Sequence, residues 1–190
     1  PNGRYHQLVS GLPTAPPVGR PPIDLSNPDF CAAVVRQLVV GLAVHDLPLV
    51  RDILPGFEKV EYARAIAPIG FDLGLRSGGA LVRFSAVMLP EGADTLWRLR
   101  ILTAHECIDI DFPPPFVHAG SARATVGDSS GRITAFRPTP IDGYQAEWEA
   151  LAALLRGESA MEYAELLADA EDVVAIADAA AAAVREGMAR

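Results

Sequence analysis

Apolar and polar residues alternate through the middle of the chain, from Lys59 to Phe136, and this limits the fold more than any other feature. Between Leu96 and Thr103, for example, Trp97, Leu99 and Ile101 are separated by polar positions. Successive side chains of a strand point to opposite faces of a sheet, so this period of two predicts half-buried strands. The connections are short and rich in turn residues, which favours antiparallel pairing. Strands are predicted at Lys59–Ile66, Phe71–Arg76, Ala80–Leu89, Leu96–Thr103, Cys107–Phe112, Ser121–Val126 and Arg132–Phe136.

Helical spacing precedes this region. A short strand at Arg4–Gly11 and a proline-rich loop at Gly11–Pro28 come first. Asn27 then provides a helix cap, and apolar residues recur every three or four positions. We predict two helical pieces with a bend between them, Pro28–Val44 and Asp46–Leu54.

Two further helices are predicted after the strands. Asp142 and Gln145 have the spacing of a capping box, and Gly157 is a typical helix stop. A last helix covers Ala164–Met188. Helices segregated from antiparallel strands predict an α+β fold: an open, mostly antiparallel β-sheet with helices packed on one face. The other face needs a cover, so we predict that it serves oligomerisation, and that residues 1–190 form a single domain.

Composition excludes several classes of function. The formal net charge is −8 and no cluster of basic residues occurs, which excludes a nucleic-acid partner. The longest apolar run, Leu38–Val44, is too short to span a membrane. Two cysteines, Cys31 and Cys107, are too few for a secreted disulfide scaffold, so a cytoplasmic location is expected.

The pair His45-Asp46 is the sharpest candidate for chemistry. It lies between the two predicted helical pieces, where a side chain can leave the core. Imidazole titrates near neutral pH and can donate or accept a proton. The structural alternative is that His45 caps the first piece and binds a backbone carbonyl.

The other candidates lie on predicted strands and turns. His105 and Cys107 share a strand face, but a zinc site needs about four ligands and no others are evident, so no metal is predicted. A Cys–His hydrolase is one alternative, and a packed thiol is another. Asp109 and Asp111 fit acid–base chemistry or an exposed sheet face. His118 follows a proline-rich turn, where it lines a cleft or lies on the surface.

Three segments occur in a familiar order. They are a helix with a His-Asp pair (Gly41–Leu54), the strand series (Lys59–Phe136), and a closing helix (Gly143–Leu151 with Leu154–Gly157) that precedes an alanine-rich helix. Together they resemble the C-terminal domain of the glucose–fructose oxidoreductase / inositol dehydrogenase / MocA family. The resemblance covers most of the chain beyond the first residues.

This resemblance implies the substrate-side, oligomerisation domain of an NAD(P)-dependent oxidoreductase that acts on a sugar, polyol or related hydroxy compound. In the family, a preceding Rossmann domain carries a glycine motif and a Glu-Lys-Pro motif. This chain contains no Gly-x-Gly-x-x-Gly, and Glu58-Lys59-Val60 opens a sheet strand instead. NAD or NADP is therefore implied for the intact protein, while this chain alone is expected to bind neither cofactor and to be inactive.

The resemblance also assigns residues. The catalytic histidine of the family matches His45, and Asp46 beside it is predicted to orient it, to cap the helix or to bind substrate. From its position after the proline-rich turn, His118 is also predicted to bind substrate. Acidic residues that often accompany the histidine are replaced here by Gly41 and Pro48. These replacements motivate a second hypothesis, a non-enzymatic, stand-alone oligomerisation or small-molecule-binding domain.

Overall fold

The computed structural model describes residues 24–54, 56–88, 96–114, 118–160 and 162–189. These divide into two compact units, a larger one of residues 24–88 and 162–189 and a smaller one of residues 96–160. The predicted strand Arg4–Gly11, most of the proline-rich loop and the Pro90–Asp94 turn lie outside the described residues.

Helices flank the strands in chain order, as predicted. The elements are α1 (Pro28–Leu42), a 3₁₀ turn (Ala43–His45), α2 (Leu47–Ile53), β1 (Phe57–Ile66), β2 (Ile69–Ser77), β3 (Ala80–Met88), β4 (Arg98–Leu102), β5 (Glu106–Asp111), β6 (Arg123–Asp128), β7 (Ile133–Phe136), α3 (Gly143–Leu155) and α4 (Tyr163–Met188).

Helix α1 begins as its sequence requires. The Asn27 side chain accepts a hydrogen bond from the backbone N–H three residues later, at 3.0 Å, and Pro28 occupies the first turn, where its missing N–H costs nothing. The predicted bend is confirmed, because the 3₁₀ turn separates α1 from α2. Pro48 lies in the first turn of α2, where a missing backbone N–H again costs no helical hydrogen bond.

The larger unit carries the hydrophobic core. Its antiparallel sheet has the order β1-β2-β3, and β2 buries Phe71, Leu73 and Leu75. Residues of α1 and α4 pack against this cluster, including Val35, Val39, Val173, Ile176, Ala177, Ala180 and Val184. Full burial of a large apolar side chain contributes roughly 1.5–3 kcal/mol, so this cluster is the main source of stability in the unit.

One described stretch, Pro28–His45, is long and apolar enough to cross a membrane by length and composition. Its buried stripe of Cys31, Ala32, Val35 and Val39 belongs to the core of the larger unit. One face of this helix therefore packs against the sheet and α4.

The smaller unit is a four-stranded antiparallel sheet, β4-β5-β6-β7, followed by α3. The turn at Asp128–Gly131 joins β6 and β7 in a hairpin. Helix α3 is capped by Asp142, and Gly157 follows it with a φ of 73°. Among the described residues, the fully buried apolar side chains all belong to the larger unit.

The predicted α+β class, with open antiparallel pairing and separate helices, is confirmed. The strands form two sheets, of three and four strands, where the sequence favoured one. Alternation defines the faces of each strand but not its neighbours, and no described pairing joins β3 to β4. The single-domain assignment stays a prediction.

Candidate functional site

His118 and Asp142 form a side-chain pair in the smaller unit. Nδ1 of His118 lies within hydrogen-bonding distance of Oδ2 of Asp142. The imidazole is 83% exposed, whereas only 8% of the aspartate side chain is exposed. An ionised carboxylate only accepts hydrogen bonds, so Nδ1 of the ring donates. In the neutral ring, Nε2 is then the proton acceptor.

Asp142 is held in place by the helix that it caps. Its Oδ1 accepts a hydrogen bond from the backbone N–H of Gln145 at 2.9 Å. This bond, followed by the bond from His118, lowers the pKa of the Asp142 carboxyl below its ordinary value. The carboxylate is therefore ionised at neutral pH and keeps the ring of His118 oriented.

The backbone beside His118 is fixed to the segment that leads to Asp142. Ser121 donates its N–H to the carbonyl oxygen of Thr139 at 3.0 Å, and Thr139 donates its N–H to Oγ of Ser121 at 2.8 Å. Gly120 has a φ of 82°, and a Cβ there would lie 2.5 Å from the Thr139 oxygen. Only glycine fits this position, which brings the two segments together.

Tyr144 adds an aromatic group to the pair. Its ring centroid lies 6.2 Å from that of His118, and the two planes meet at 65°, an edge-to-face arrangement. The site therefore combines an exposed imidazole, a buried carboxylate and a phenol ring. Such a group can exchange a proton with a bound hydroxyl compound.

His45 and Asp46 lie in the larger unit. His45 is the exposed last residue of the 3₁₀ turn, and within the described chain no side-chain hydrogen bond involves it. Asp46 is half-buried and precedes α2; its carbonyl accepts from the N–H of Val50 at 3.0 Å, while its side chain makes no capping hydrogen bond. The catalytic role of His45 and the substrate-binding roles of Asp46 and His118 stay predictions.

The paired aspartates of β5 bind arginines of the neighbouring strand. Asp109 accepts from Arg100 at 2.6 Å, and Asp111 accepts from Arg98 at 2.5 Å. Arg100 is also the main reason why the pKa of Asp109 is lowered. The sulfur of Cys107 lies 3.8 Å from Asp109. These contacts form a charge ladder across the sheet, which matches the structural interpretation of the two aspartates.

His105 belongs to the turn between β4 and β5, where its N–H donates to Oγ1 of Thr103 at 3.2 Å. No contact joins its ring to the Cys107 thiol among the described residues. In that same part of the chain, no three His, Cys, Asp or Glu side chains come together in an arrangement that could hold a metal ion.

A second polar cluster, on the larger unit, was missed by sequence reasoning. Asp72 of β2 is 1% exposed, and the guanidinium groups of Arg64 and Arg83 from the two neighbouring strands bind it. The distances are 2.8 Å from Arg64 Nη2 and 2.9 Å from Arg83 Nε. Gly70 and Gly74 flank the aspartate on the same sheet face. These two glycines, each two positions from Asp72, were the sequence signal that could have indicated a close-packed cluster on this face.

The described strands do not form the parallel arrangement in which a Rossmann domain holds a nicotinamide cofactor. Dinucleotides bind at the carboxyl ends of parallel strands, beside a glycine-rich turn. Every described strand pairing is antiparallel, and the sequence contains no Gly-x-Gly-x-x-Gly. The expectation that this chain alone binds neither NAD nor NADP stays a prediction.

No family model, curated protein or solved structure matches the chain. The functional interpretation therefore depends on the chemistry of the two clusters, the His118–Asp142 pair and Asp72 with its two arginines.

Proposed function

We propose that this chain is the substrate-side, oligomerising domain of an NAD(P)-dependent oxidoreductase acting on a sugar, polyol or related hydroxy compound. Its sequence resemblance to the glucose–fructose oxidoreductase / inositol dehydrogenase / MocA family suggests this class. The observation that carries the proposal is the exposed imidazole of His118, oriented by the buried carboxylate of Asp142.

Oxidation of an alcohol to a carbonyl removes a hydride from carbon and a proton from the hydroxyl group. The nicotinamide accepts the hydride, and we expect it to be held by a polypeptide segment outside the described residues. An imidazole with Nδ1 bound to a carboxylate can accept the hydroxyl proton at Nε2. In this proposal His118 contacts the substrate hydroxyl, and Asp142 orients the ring.

His45 is the alternative position for the acid/base group. Its ring is exposed but lacks an orienting carboxylate partner among the hydrogen bonds of the described residues. Geometry therefore favours His118, while the sequence resemblance favours His45. Separate substitutions of the two residues distinguish the assignments.

Binding of a polyol to the intact chain tests the proposal. We expect sorbitol to shift the NMR signals of the His118 ring saturably. His118→Gln and Asp142→Asn are expected to weaken binding about tenfold, because each removes a hydrogen-bonding group of the site. Asparagine also caps helices well, so Asp142→Asn should preserve α3.

His105→Gln is the matched control, because it changes an exposed histidine of the same unit that is not part of the pair. Sorbitol binding should be unchanged in this variant. The assignment of His118 would be wrong if sorbitol did not shift the NMR signals of His118. It would also be wrong if His118→Gln and Asp142→Asn bound sorbitol as tightly as the wild type. Loss of binding only in His45→Gln would move the site to the larger unit.

The cofactor part of the proposal has its own measurement. Calorimetric titration of the chain with NADH should give no saturable binding, since every described strand pairing is antiparallel and the sequence contains no Gly-x-Gly-x-x-Gly. Saturation at micromolar NADH would contradict the assignment of the cofactor to another segment.

We also propose a cytoplasmic location. Cys31 is a buried free thiol and Cys107 a half-buried one, and neither forms a disulfide. Free thiols are typical of a reducing compartment.

The second candidate function is that of a stand-alone oligomerisation or small-molecule-binding domain. The outer face of the three-stranded sheet supports it, because Tyr62, Leu81 and Val87 are 38%, 59% and 43% exposed there. They share this face with the ion-paired Arg64 and Arg83, and exposed apolar side chains mixed with arginines are typical of an interface. A homo-oligomer through this face is part of both candidate functions.

Light scattering at several concentrations tests the interface. We expect a dimer or larger assembly that the double substitution Leu81→Asp and Val87→Asp converts to a monomer. Leu102→Asp, which alters a 72% exposed leucine of the other sheet, should leave the assembly intact. A monomeric wild type would refute the interface, and an oligomer that binds no polyol would favour the non-enzymatic candidate.

A further inference from the structure

An open cleft of about 270 Å³ lies beside β1 in the larger unit. Its apolar walls come from the residues before α1, from β1 and from the last turns of α4: Leu25, Ala63, Ala65, Val184 and Met188. At roughly 30 Å³ for each water molecule in the liquid, the space corresponds to about nine waters. The cleft is therefore large enough for a small organic molecule.

The thiol of Cys31 also lines this cleft. Burial raises the pKa of this thiol, and the nearby carboxylate of Asp24 raises it further. The thiol therefore stays protonated and neutral at physiological pH. Arg64 is then the one charged residue among the described residues that line the cleft.

Arg64 has donors left for a ligand. Its Nε and Nη2 donate to Oδ2 of Asp72 at 3.1 and 2.8 Å. A guanidinium carries five N–H donors, so three remain outside this contact, two on Nη1 and one on Nη2.

The charge of the Asp72 cluster is also unbalanced. Arg83 binds the same carboxylate at 2.9 Å, so two cations share one anion. This excess positive charge stands out in a chain with a net charge of −8. An anionic group on Arg64 would neutralise the excess.

We propose that the cleft binds a small aliphatic monocarboxylate, with its hydrocarbon chain against the apolar walls and its carboxylate on Arg64. One negative charge matches the one uncompensated guanidinium, and Arg binds a carboxylate in a planar, charge-assisted contact. This site lies within the larger unit and is independent of the proposed oxidoreductase function at His118.

Octanoate, with ten heavy atoms, is a suitable probe, and octanol is its neutral analogue of the same chain length. NMR titration of the full chain at neutral pH should show saturable octanoate binding at β1 and at the end of α4. Octanol should bind at least about tenfold more weakly, because it lacks the charge that Arg64 recognises.

Two substitutions test whether octanoate binds in the cleft. Arg64→Gln should weaken octanoate binding about 10- to 100-fold and leave octanol binding unchanged. Gly187→Trp should abolish the binding of both, because Gly187 lines the cleft. A Cβ on Gly187 meets no atom within 4 Å, and replacing a helical glycine favours the helix, so this variant should fold.

Glu186→Trp is the matched control, since it adds the same side chain at the neighbouring exposed position, which does not line the cleft. It should bind octanoate like the wild type. The proposal is overturned if the wild type shows no saturable octanoate binding, if octanol binds equally well, or if Gly187→Trp binds octanoate as tightly as Glu186→Trp does.

Discussion

Two glycines of the same strand offer a matched pair of substitutions. Gly70 and Gly74 flank Asp72 on the outer face of β2. A Cβ on Gly70 would lie 2.5 Å from the carbonyl oxygen of Ala86 and 3.0 Å from Cα of Val87, both backbone atoms of β3. Gly70→Ala therefore requires the two paired strands to separate locally.

The same change at Gly74 meets a different neighbour. A Cβ there would lie 2.3 Å from Cε1 of the Tyr62 ring. Tyr62 is 38% exposed, so the ring can rotate toward solvent. Gly74→Ala is therefore expected to change the free energy of unfolding by no more than about 0.5 kcal/mol.

The magnitude for Gly70→Ala follows from two opposing effects. Overpacking against atoms that cannot move costs about 1–3 kcal/mol. Replacing glycine also reduces the entropy of the unfolded chain, which offsets about 0.4–1 kcal/mol. The central values, about 2 and about 0.7 kcal/mol, leave a net destabilisation of about 1.3 kcal/mol, or a fall in Tm on the order of 5 °C at about 4 °C per kcal/mol.

Urea unfolding followed by far-UV circular dichroism measures this difference, because most helical residues belong to the larger unit through α1, α2 and α4. Trp97 and Trp148, the two tryptophans of the chain, both lie in the smaller unit, so their fluorescence follows that unit separately. If Gly70→Ala were as stable as Gly74→Ala, the backbone of β3 would not be fixed against β2 as described.

Two further predictions concern the site in the smaller unit. Because the pKa of Asp142 is lowered on folding, its contribution to stability is present above the unfolded pKa of about 3.9 and is lost as the pH falls through the lower folded value. Asp142→Asn should therefore make the free energy of unfolding less dependent on pH below about pH 4. Urea titrations across that pH range would measure this dependence. If the free energy of unfolding changed with pH in the variant as it does in the wild type, the lowered pKa would be contradicted. Gly120→Ala places a Cβ 2.5 Å from the oxygen of Thr139 at a φ of 82°, so it should displace His118 from Tyr144. NMR contacts between the two rings should disappear in this variant, and their persistence would show that the loop tolerates a side chain.

Local signals in the sequence predicted the elements well. Asn27 and Asp142 cap the helices that follow them, and Gly157 takes the positive φ expected of a helix stop. These features depend on residues within a few positions of one another, where capping and turn chemistry are decided. The arrangement of strands into two sheets depends on pairing between distant segments, which local periodicity does not determine.

The candidate sites were predicted only in part for the same reason. The sequence predicted His118 to line a cleft or to lie on the surface, and Asp142 to cap a helix, but their contact spans 24 positions of the chain. The cluster around Asp72 requires the register of three strands to place Arg64 and Arg83 on either side of one carboxylate. Neither arrangement has a short sequence motif.

The two clusters share one physical arrangement and differ in the chemistry that it supports. In each, a buried aspartate holds a more exposed cationic or titratable side chain: Asp142 holds His118, and Asp72 holds Arg64 and Arg83. A buried carboxylate is costly unless it is hydrogen-bonded, so these aspartates bind their partners closely and orient them.

Histidine changes its protonation state near neutral pH, which suits proton exchange with a hydroxyl compound. Arginine stays charged, which suits the binding of an anion rather than acid–base chemistry. Substitution of the partner, rather than of the aspartate, therefore separates the two functions, since His118→Gln should affect sorbitol alone and Arg64→Gln should affect octanoate alone.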